Sequence, residues 1–284
     1  MKATRLTYVL ITFILFSPQV KAQTGDEPIA LSYRSIAAGV GFASSYDTYL
    51  SPIDYEGSVF TFTFEAINPM KVINSRGLRQ HLLAINFAST QNPAENANEY
   101  VVSLDYTFGM FYRFKLPVKD LQLFAGANVN ALLGGIIKSY GGNNPATPKV
   151  NLNLGLSAMA VYPLKVKNTP LILRYQVNMP VFGLMYAHQF GESYYEIDLG
   201  GYKNLCHFAS FHNQFLIKND LSAELVLNPY TLKVAYENNY YGTRIHDLKT
   251  RIKYNTLYIG MSWNFQLVSP NKINKERYRT IFDS

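Results

Sequence analysis

The chain has one cysteine, Cys206, in 284 residues, which excludes an internal disulfide and with it the small stapled folds common among exported proteins. Only 16% of residues are charged, no long basic run occurs and no nucleic-acid motif is present, so nucleic acid is not an expected partner. Beyond residue 22 no stretch of 18 consecutive apolar residues exists, which excludes a membrane-spanning helix there. No linker rich in proline, glycine and serine divides the chain, so one large domain is expected. Aromatics, in contrast, are plentiful, with 22 tyrosines and 18 phenylalanines.

The first 22 residues read as a secretory signal peptide. Lys2 and Arg5 precede an apolar core from Leu6 to Phe16, Ser17 and Pro18 break it, and Val20-Lys21-Ala22 resembles a small-residue cleavage site. The core is too short to span a bilayer, which needs about 20 residues. Cleavage after Ala22 removes Lys2, Arg5 and Lys21 and lowers the formal charge from +7 to +4. Residues 266–284 hold four basic side chains (Lys272, Lys275, Arg277 and Arg279) against Glu276 and Asp283, a basic tail.

Between these ends the dominant signal is two-residue alternation, which places alternate side chains on opposite faces of a strand. From Tyr100 to Phe114, Val102, Leu104, Tyr106, Phe108, Met110, Tyr112 and Phe114 share one face. Ser103, Asp105, Thr107, Gly109 and Arg113 share the other, interrupted only by Val101 and Phe111. The pattern recurs at Phe60–Ala66, Leu121–Asn130, Val150–Ala158, Leu171–Met179, Gln214–Leu227 and Leu257–Phe265, and more weakly at Tyr33–Ser44, Gln80–Thr90 and Thr231–Asn239. Runs of this length exceed the five or six residues usual in soluble sheets, whereas a tilted strand crossing a bilayer needs about 9–11. Only helices and closed barrels satisfy every backbone polar group in lipid. The expected fold is therefore an all-β, antiparallel, up-and-down transmembrane barrel over residues 23–265, with about ten strands and both termini in the periplasm. A hairpin within Tyr194–Phe211 would make twelve strands, and a soluble periplasmic β-protein is the remaining alternative. Links at Lys115–Lys119, Lys165–Thr169 and Asn228–Tyr230 read as short inner turns, with Met70–Arg79 rather long for one. Ser45–Glu56, Gln91–Glu99, Gly135–Thr147, Val181–Asn213 and Tyr240–Tyr254 read as long outer loops. The final strand resembles a signal for the barrel-assembly machinery.

The polar faces would line the lumen with Glu65, Asp105, Arg113, Arg174, Lys218, Asp220, Glu224, Lys233 and Glu237. Five acids against four bases point to an interior knitted by ion pairs, because buried charges persist only when paired. That reading gives a plugged barrel with a structural or interaction role, and a path for small solutes is the alternative. A second alternative is a lipid-modifying hydrolase. His207, Ser210 and His212 are its candidate catalytic residues, since a serine nucleophile needs a base within hydrogen-bond reach. His188, His207 and His212 lack any metal-ligand spacing, so no metal or other cofactor is expected.

The segments Asn178-Met179-Pro180, Gly183 and Phe190-Gly191-Glu192-Ser193-Tyr194-Tyr195-Glu196-Ile197 resemble a motif of exported Bacteroidetes proteins of unknown function. Leu216–Leu221, Thr231–Tyr236 and Tyr258–Met261 also fit that family. The resemblance implies a single outer-membrane barrel in contact with outer-membrane lipid, and it carries no catalytic residue. Tyr194, Tyr195 and Glu196, its most specific part, would cap the barrel mouth by bonding inward-facing charges such as Arg174.

Overall fold

The structure, a computed structural model, describes residues 29–30, 32–70, 76–114, 116, 120–139, 145–166, 169–187, 205–227, 230–245, 247–265 and 278–279. Residues 1–22 and the Tyr194, Tyr195, Glu196 motif lie outside them, as do His188 and most of the tail. The described residues form strands and turns, with no helix long and apolar enough to cross a membrane.

A short strand β1 (Ile29–Ala30) precedes β2 (Ser32–Asp47), β3 (Ser51–Met70), β4 (Gly77–Gln91), β5 (Asn98–Phe114), β6 (Gln122–Lys138), β7 (Ala146–Val166) and β8 (Thr169–Tyr186). There follow β9 (Cys206–Ser210), β10 (Gln214–Val226), β11 (Thr231–Ile245), β12 (Leu248–Phe265) and β13 (Tyr278–Arg279). Sequential antiparallel pairing runs from β2 to β8 and from β10 through β12 back to β2, and β10 pairs with β8 to close a ten-stranded barrel. The backbones of β1 and β13 pair in parallel beside it. An even strand number brings both barrel ends to one rim.

The ten expected strands are present, and of the segment that would have made twelve the described residues 205–211 give only β9, which pairs with β8 as an extension of the wall. One expectation is corrected. Most links expected to be long outer loops are turns, since the ladders continue past the greasy stretch. Strands β2 and β3 are joined through 48–50, and β11 pairs with β12 as far as Ile245↔Leu248. Polar pairs such as Arg251–Asp54 at 2.5 Å sit on those extensions, where alternating apolar residues have run out. Only the link from β8 to β9 remains long.

Side-chain parity sorts the wall into two faces. On β3, Phe60 and Phe62 are 49% and 43% exposed on the outside, whereas the alternating Val59 and Thr61 are buried inside. Val40, Phe42, Leu152, Leu156, Leu221 and Ile259 are likewise exposed on the outside. The inside is filled in layers. Near the rim that carries the termini, Tyr33, Ile67, Leu78, Phe111, Phe124, Met159 and Val161 form a buried apolar floor. Toward the other rim Ala43, Val59, Val101, Ile136, Leu216, Tyr241 and Ile252 belong to a second apolar layer. Buried polar and charged side chains occupy the middle. Gly126 allows its strand to sit close to β5, since a Cβ there would collide with the Met110 carbonyl.

Candidate functional site

The middle layer centres on Glu65 of β3, whose parity turns it inward. Arg174 of β8 grips it through two bonds, Nη1 to Oε1 at 2.9 Å and Nη2 to Oε2 at 2.6 Å. Lys233 of β11 donates to Oε2 at 3.2 Å, Gln80 to Oε1 at 2.6 Å, and the Ser35 hydroxyl to Oε2 at 3.3 Å. Such saturation is what a buried carboxylate requires, and the planar guanidinium fork matches it. Glu224 of β10 accepts from Tyr33 Oη at 2.6 Å and Ser262 Oγ at 2.8 Å, with Arg174 at 4.0 Å. The Arg174 guanidinium also stands 5.4 Å over the Tyr33 ring. Gln80 and Gln176 bond each other across the lumen, and Gln176, Asn178, Ser157 and Asn128 continue the chain of bonds.

A second cluster forms around Lys218 of β10, whose Nζ lies 3.4 Å from Glu237 and 3.8 Å from Asp105. Asn130 donates to Asp105 at 2.6 Å. Asp220 faces inward two residues along, directly opposite Glu237 in the β10–β11 ladder, and makes no hydrogen bond or ion pair among the described residues. Arg113 stands elsewhere, 5.4 Å over the Phe124 ring of the apolar floor. Without it the middle layer holds five acids (Glu65, Asp105, Asp220, Glu224, Glu237) and three bases (Arg174, Lys218, Lys233). At the outer mouth a third group links Asp47 with Lys149 at 2.6 Å and with Thr250 at 2.8 Å. The sequence singled out the charged members, but Gln80, Gln176, Tyr33 and the serines take part in most of the bonding around Glu65. Their parity relative to Glu65 and Arg174 is the signal that would have found them.

The hydrolase candidates do not converge. His207 and Ser210 lie three apart on β9, so they take opposite faces of the strand. His212 lies in the turn after β9, exposed and stacked on Phe208 at 6.4 Å. Ser210 bonds to neither histidine: its backbone N–H donates to Asn213 Oδ1. No group of three metal-ligating side chains is present among the described residues.

That Asn213 bond belongs to the weakest part of the wall. β10 pairs with β8 only from Leu225↔Leu171 to Lys218↔Asn178. Pro180, which has no N–H to give, and a bulge at Val181 follow, and from Phe182 onward the neighbour of β8 is β9. β9 has no ladder on its other side. There Asn213 takes the place of a strand: its Oδ1 accepts from Ser210 N–H at 2.9 Å, its Nδ2 donates to the Phe208 carbonyl at 2.8 Å, and its own carbonyl accepts from Arg244 N–H at 2.7 Å. The Asn178-Met179-Pro180 motif thus marks the point where the wall changes partners. On the outside nearby, Leu104, Ala131, Leu133, Leu152, Leu184 and Leu205 line an apolar groove of about 580 Å³ in which no set of polar groups converges.

The chain resembles solved outer-membrane β-barrels. The transport unit of the autotransporter AIDA-I from Escherichia coli matches over 92% of this chain and 97% of its own, at 10% identity and a TM-score of 0.48. The beta domain of the Bordetella autotransporter BrkA matches over 83% and 100%, at 10% identity and 0.43. An outer membrane channel from Pseudomonas putida F1 matches over 86% and 100%, at 10% identity and 0.37. Likeness this distant bears on no activity. No curated protein matches the chain. The profile of the family described as a protein of unknown function, DUF3316, matches residues 8–272, and the chain belongs to that family.

Proposed function

We propose that the chain is exported, loses residues 1–22 after Ala22, and spans a Gram-negative outer membrane as a sealed barrel with a structural or interaction role. The likeness of the Ser193–Glu196 motif to exported Bacteroidetes proteins supports this setting. Residues 23–265 form the barrel, the basic tail 266–284 stays with both termini in the periplasm, and the barrel-assembly machinery inserts the strands. The greasy outside supports the membrane, because large apolar side chains such as Phe42, Leu156 and Ile259 stand exposed on it.

The observation that carries the sealed lumen is the layering. The Glu65–Arg174 network lies between two buried apolar layers that include Phe111 and Phe124 below and Ile136 and Tyr241 above. A hydrated path for ions would have to cross both, and side chains already fill a barrel of this size. Planar-bilayer recording of the purified barrel tests this: steady single-channel steps would overturn it, and a silent bilayer with inserted protein agrees with it. Phospholipid and lipid A release is expected to be nil with wild type and with Ser210→Ala alike.

A further inference from the structure

Glu99 lies at the mouth end of β5, turned inward and 0% exposed. Its carboxylate accepts one hydrogen bond, from Ser45 Oγ to Oε2 at 3.1 Å, while Oε1 is enclosed and has no partner. Lys138 of β6 stands directly opposite in the β5–β6 ladder, on the same inward face. Directly opposed side chains start about 5 Å apart at Cβ, so an ion pair is within reach. The lysine is nevertheless engaged elsewhere: its Nζ donates to the Leu50 carbonyl at 3.2 Å. Leu50 ends the link 48–50 between β2 and β3 and packs against the mouth-side apolar layer. One ammonium therefore has two acceptors in reach, the carbonyl of the link and an acid that lacks a partner.

The surroundings of Glu99 decide between them. Ser45 is flanked in the ladder by Tyr55 of β3 and Ile252 of β12, both buried. Thr90 of β4 lies opposite Glu99 and bonds its backbone carbonyl. The charges that act on the carboxyl are Asp47 of β2 and Lys138, and Asp47 is itself held by Lys149 of β7 at 2.6 Å. The outward residues of the adjacent row, Glu56, Gln91 and Asn98, are polar, so Glu99 stands at the mouth and outside the apolar band. An ionised carboxylate with one enclosed and unpartnered oxygen is unfavourable. Burial accordingly pushes the Glu99 carboxyl up to about 7; Ser45 and Lys138 pull it down, and Asp47 pushes it up.

We propose that Glu99 is a proton-controlled latch on the barrel mouth. With Glu99 protonated, Lys138 stays on the Leu50 carbonyl and the link packs against the apolar layer. When Glu99 loses its proton, the carboxylate draws Lys138 across the ladder, the Leu50 carbonyl is released, and Leu50 lifts from the mouth. Lys138 remains charged throughout, so one proton leaves for each latch that opens. The closed state holds that proton and the open state does not, so a rise in pH favours opening, by up to about tenfold per unit for one proton.

The latch rests on the sealed-lumen reading and deepens it, and the two are tested separately. The purified protein is placed in lipid nanodiscs with isotope-labelled leucine methyls, and Leu50 is assigned by its loss in Leu50→Met. A water-soluble gadolinium chelate reads methyl exposure from about pH 5.5 to about pH 8.5. Relaxation of the Leu50 methyls should rise at least about tenfold across that range, while Leu132, packed against the same layer, stays shielded. Glu99→Gln should keep Leu50 shielded at every pH, and Lys138→Gln should make its exposure independent of pH. A flat wild-type response overturns the proposal, as does a response that survives Glu99→Gln or one that Leu132 shares. The wild-type series, with Leu132 as reference, decides the matter if the variants do not fold. Planar-bilayer recording addresses the other reading: the apolar floor stays shut in both states, so the barrel should be silent at either pH. Steady steps overturn the sealed lumen, whereas the Leu50 response decides the latch.

Discussion

Removing the charge of Glu65 leaves Arg174 and Lys233 buried with Glu224, 4.0 Å from Arg174, and the more distant Asp220 as the nearest acids, neither of which bonds to both cations. Four side chains donate to the Glu65 carboxylate, and Glu65→Gln weakens all of those bonds. Breaking a buried pair by neutralising one partner costs about 3–5 kcal/mol, because the stranded charge is desolvated. Gln keeps the shape and part of the bonding, so the low end, about 3 kcal/mol, is expected. The control is Asp54→Asn, whose partner Arg251 lies at 2.5 Å, a contact no longer than the 2.6 Å of Glu65 with Arg174. Asp54 is 46% exposed against 4% for Glu65, so its pair should be worth no more than about 1 kcal/mol. Equilibrium urea unfolding of the inserted barrel reads both. Equal losses in the two variants, or a loss under about 1 kcal/mol in Glu65→Gln, would refute the view that burial and not contact length sets the strength of this network.

Three further outcomes follow from the geometry. Asp220→Asn should change stability by less than about 1 kcal/mol, because repulsion from Glu237 across the ladder is offset by attraction to Lys233, Arg174 and Lys218; a loss as large as that of Glu65→Gln would contradict an Asp220 that bonds to no side chain. Asn213→Ala frees the Ser210 N–H and the Phe208 carbonyl at the edge of β9 and should cost about 0.5–1.5 kcal/mol, with hydrogen exchange rising in 206–210 while β5 and β6 stay protected; uniform exchange would remove Asn213 from its role at the seam. Gly126→Ala should slow or prevent folding because the Met110 carbonyl occupies the space of the added methyl; wild-type refolding yield in detergent would show that the strands can part there.

Much of this architecture is legible in the residue order because a strand has a period of two and the two faces meet different surroundings. The run Val102 to Phe114 gave both its strand and its outward face directly. Val101 and Phe111 look like breaks in that pattern, yet both point inward, into the two apolar layers. Polarity alone misreads them, because a filled lumen is not polar throughout. The same assumption hid Tyr33, whose phenol holds Glu224, and Arg79, whose parity puts a cation on the greasy side. Loop lengths were overestimated because alternation fades where strands leave the apolar band, although the ladder of hydrogen bonds, which is independent of side chain, continues through Asp47 and Ile245. The partner change at Pro180 depends on which strand closes the barrel, and no local pattern encodes that.

The central claim is that the outward stripes touch acyl chains, and a nitroxide scan along β3 tests it most directly. Single cysteines replace residues 59 to 64 in a Cys206→Ser background, and collisions with oxygen, which concentrates in lipid, are compared with collisions with a water-soluble nickel complex. Labels at Phe60, Phe62 and Phe64 should be open to oxygen and closed to nickel, while those at Val59 and Thr61 should be shielded from both. Nickel access at Phe60 and Phe62 equal to that of a label at Asp54 would contradict the account.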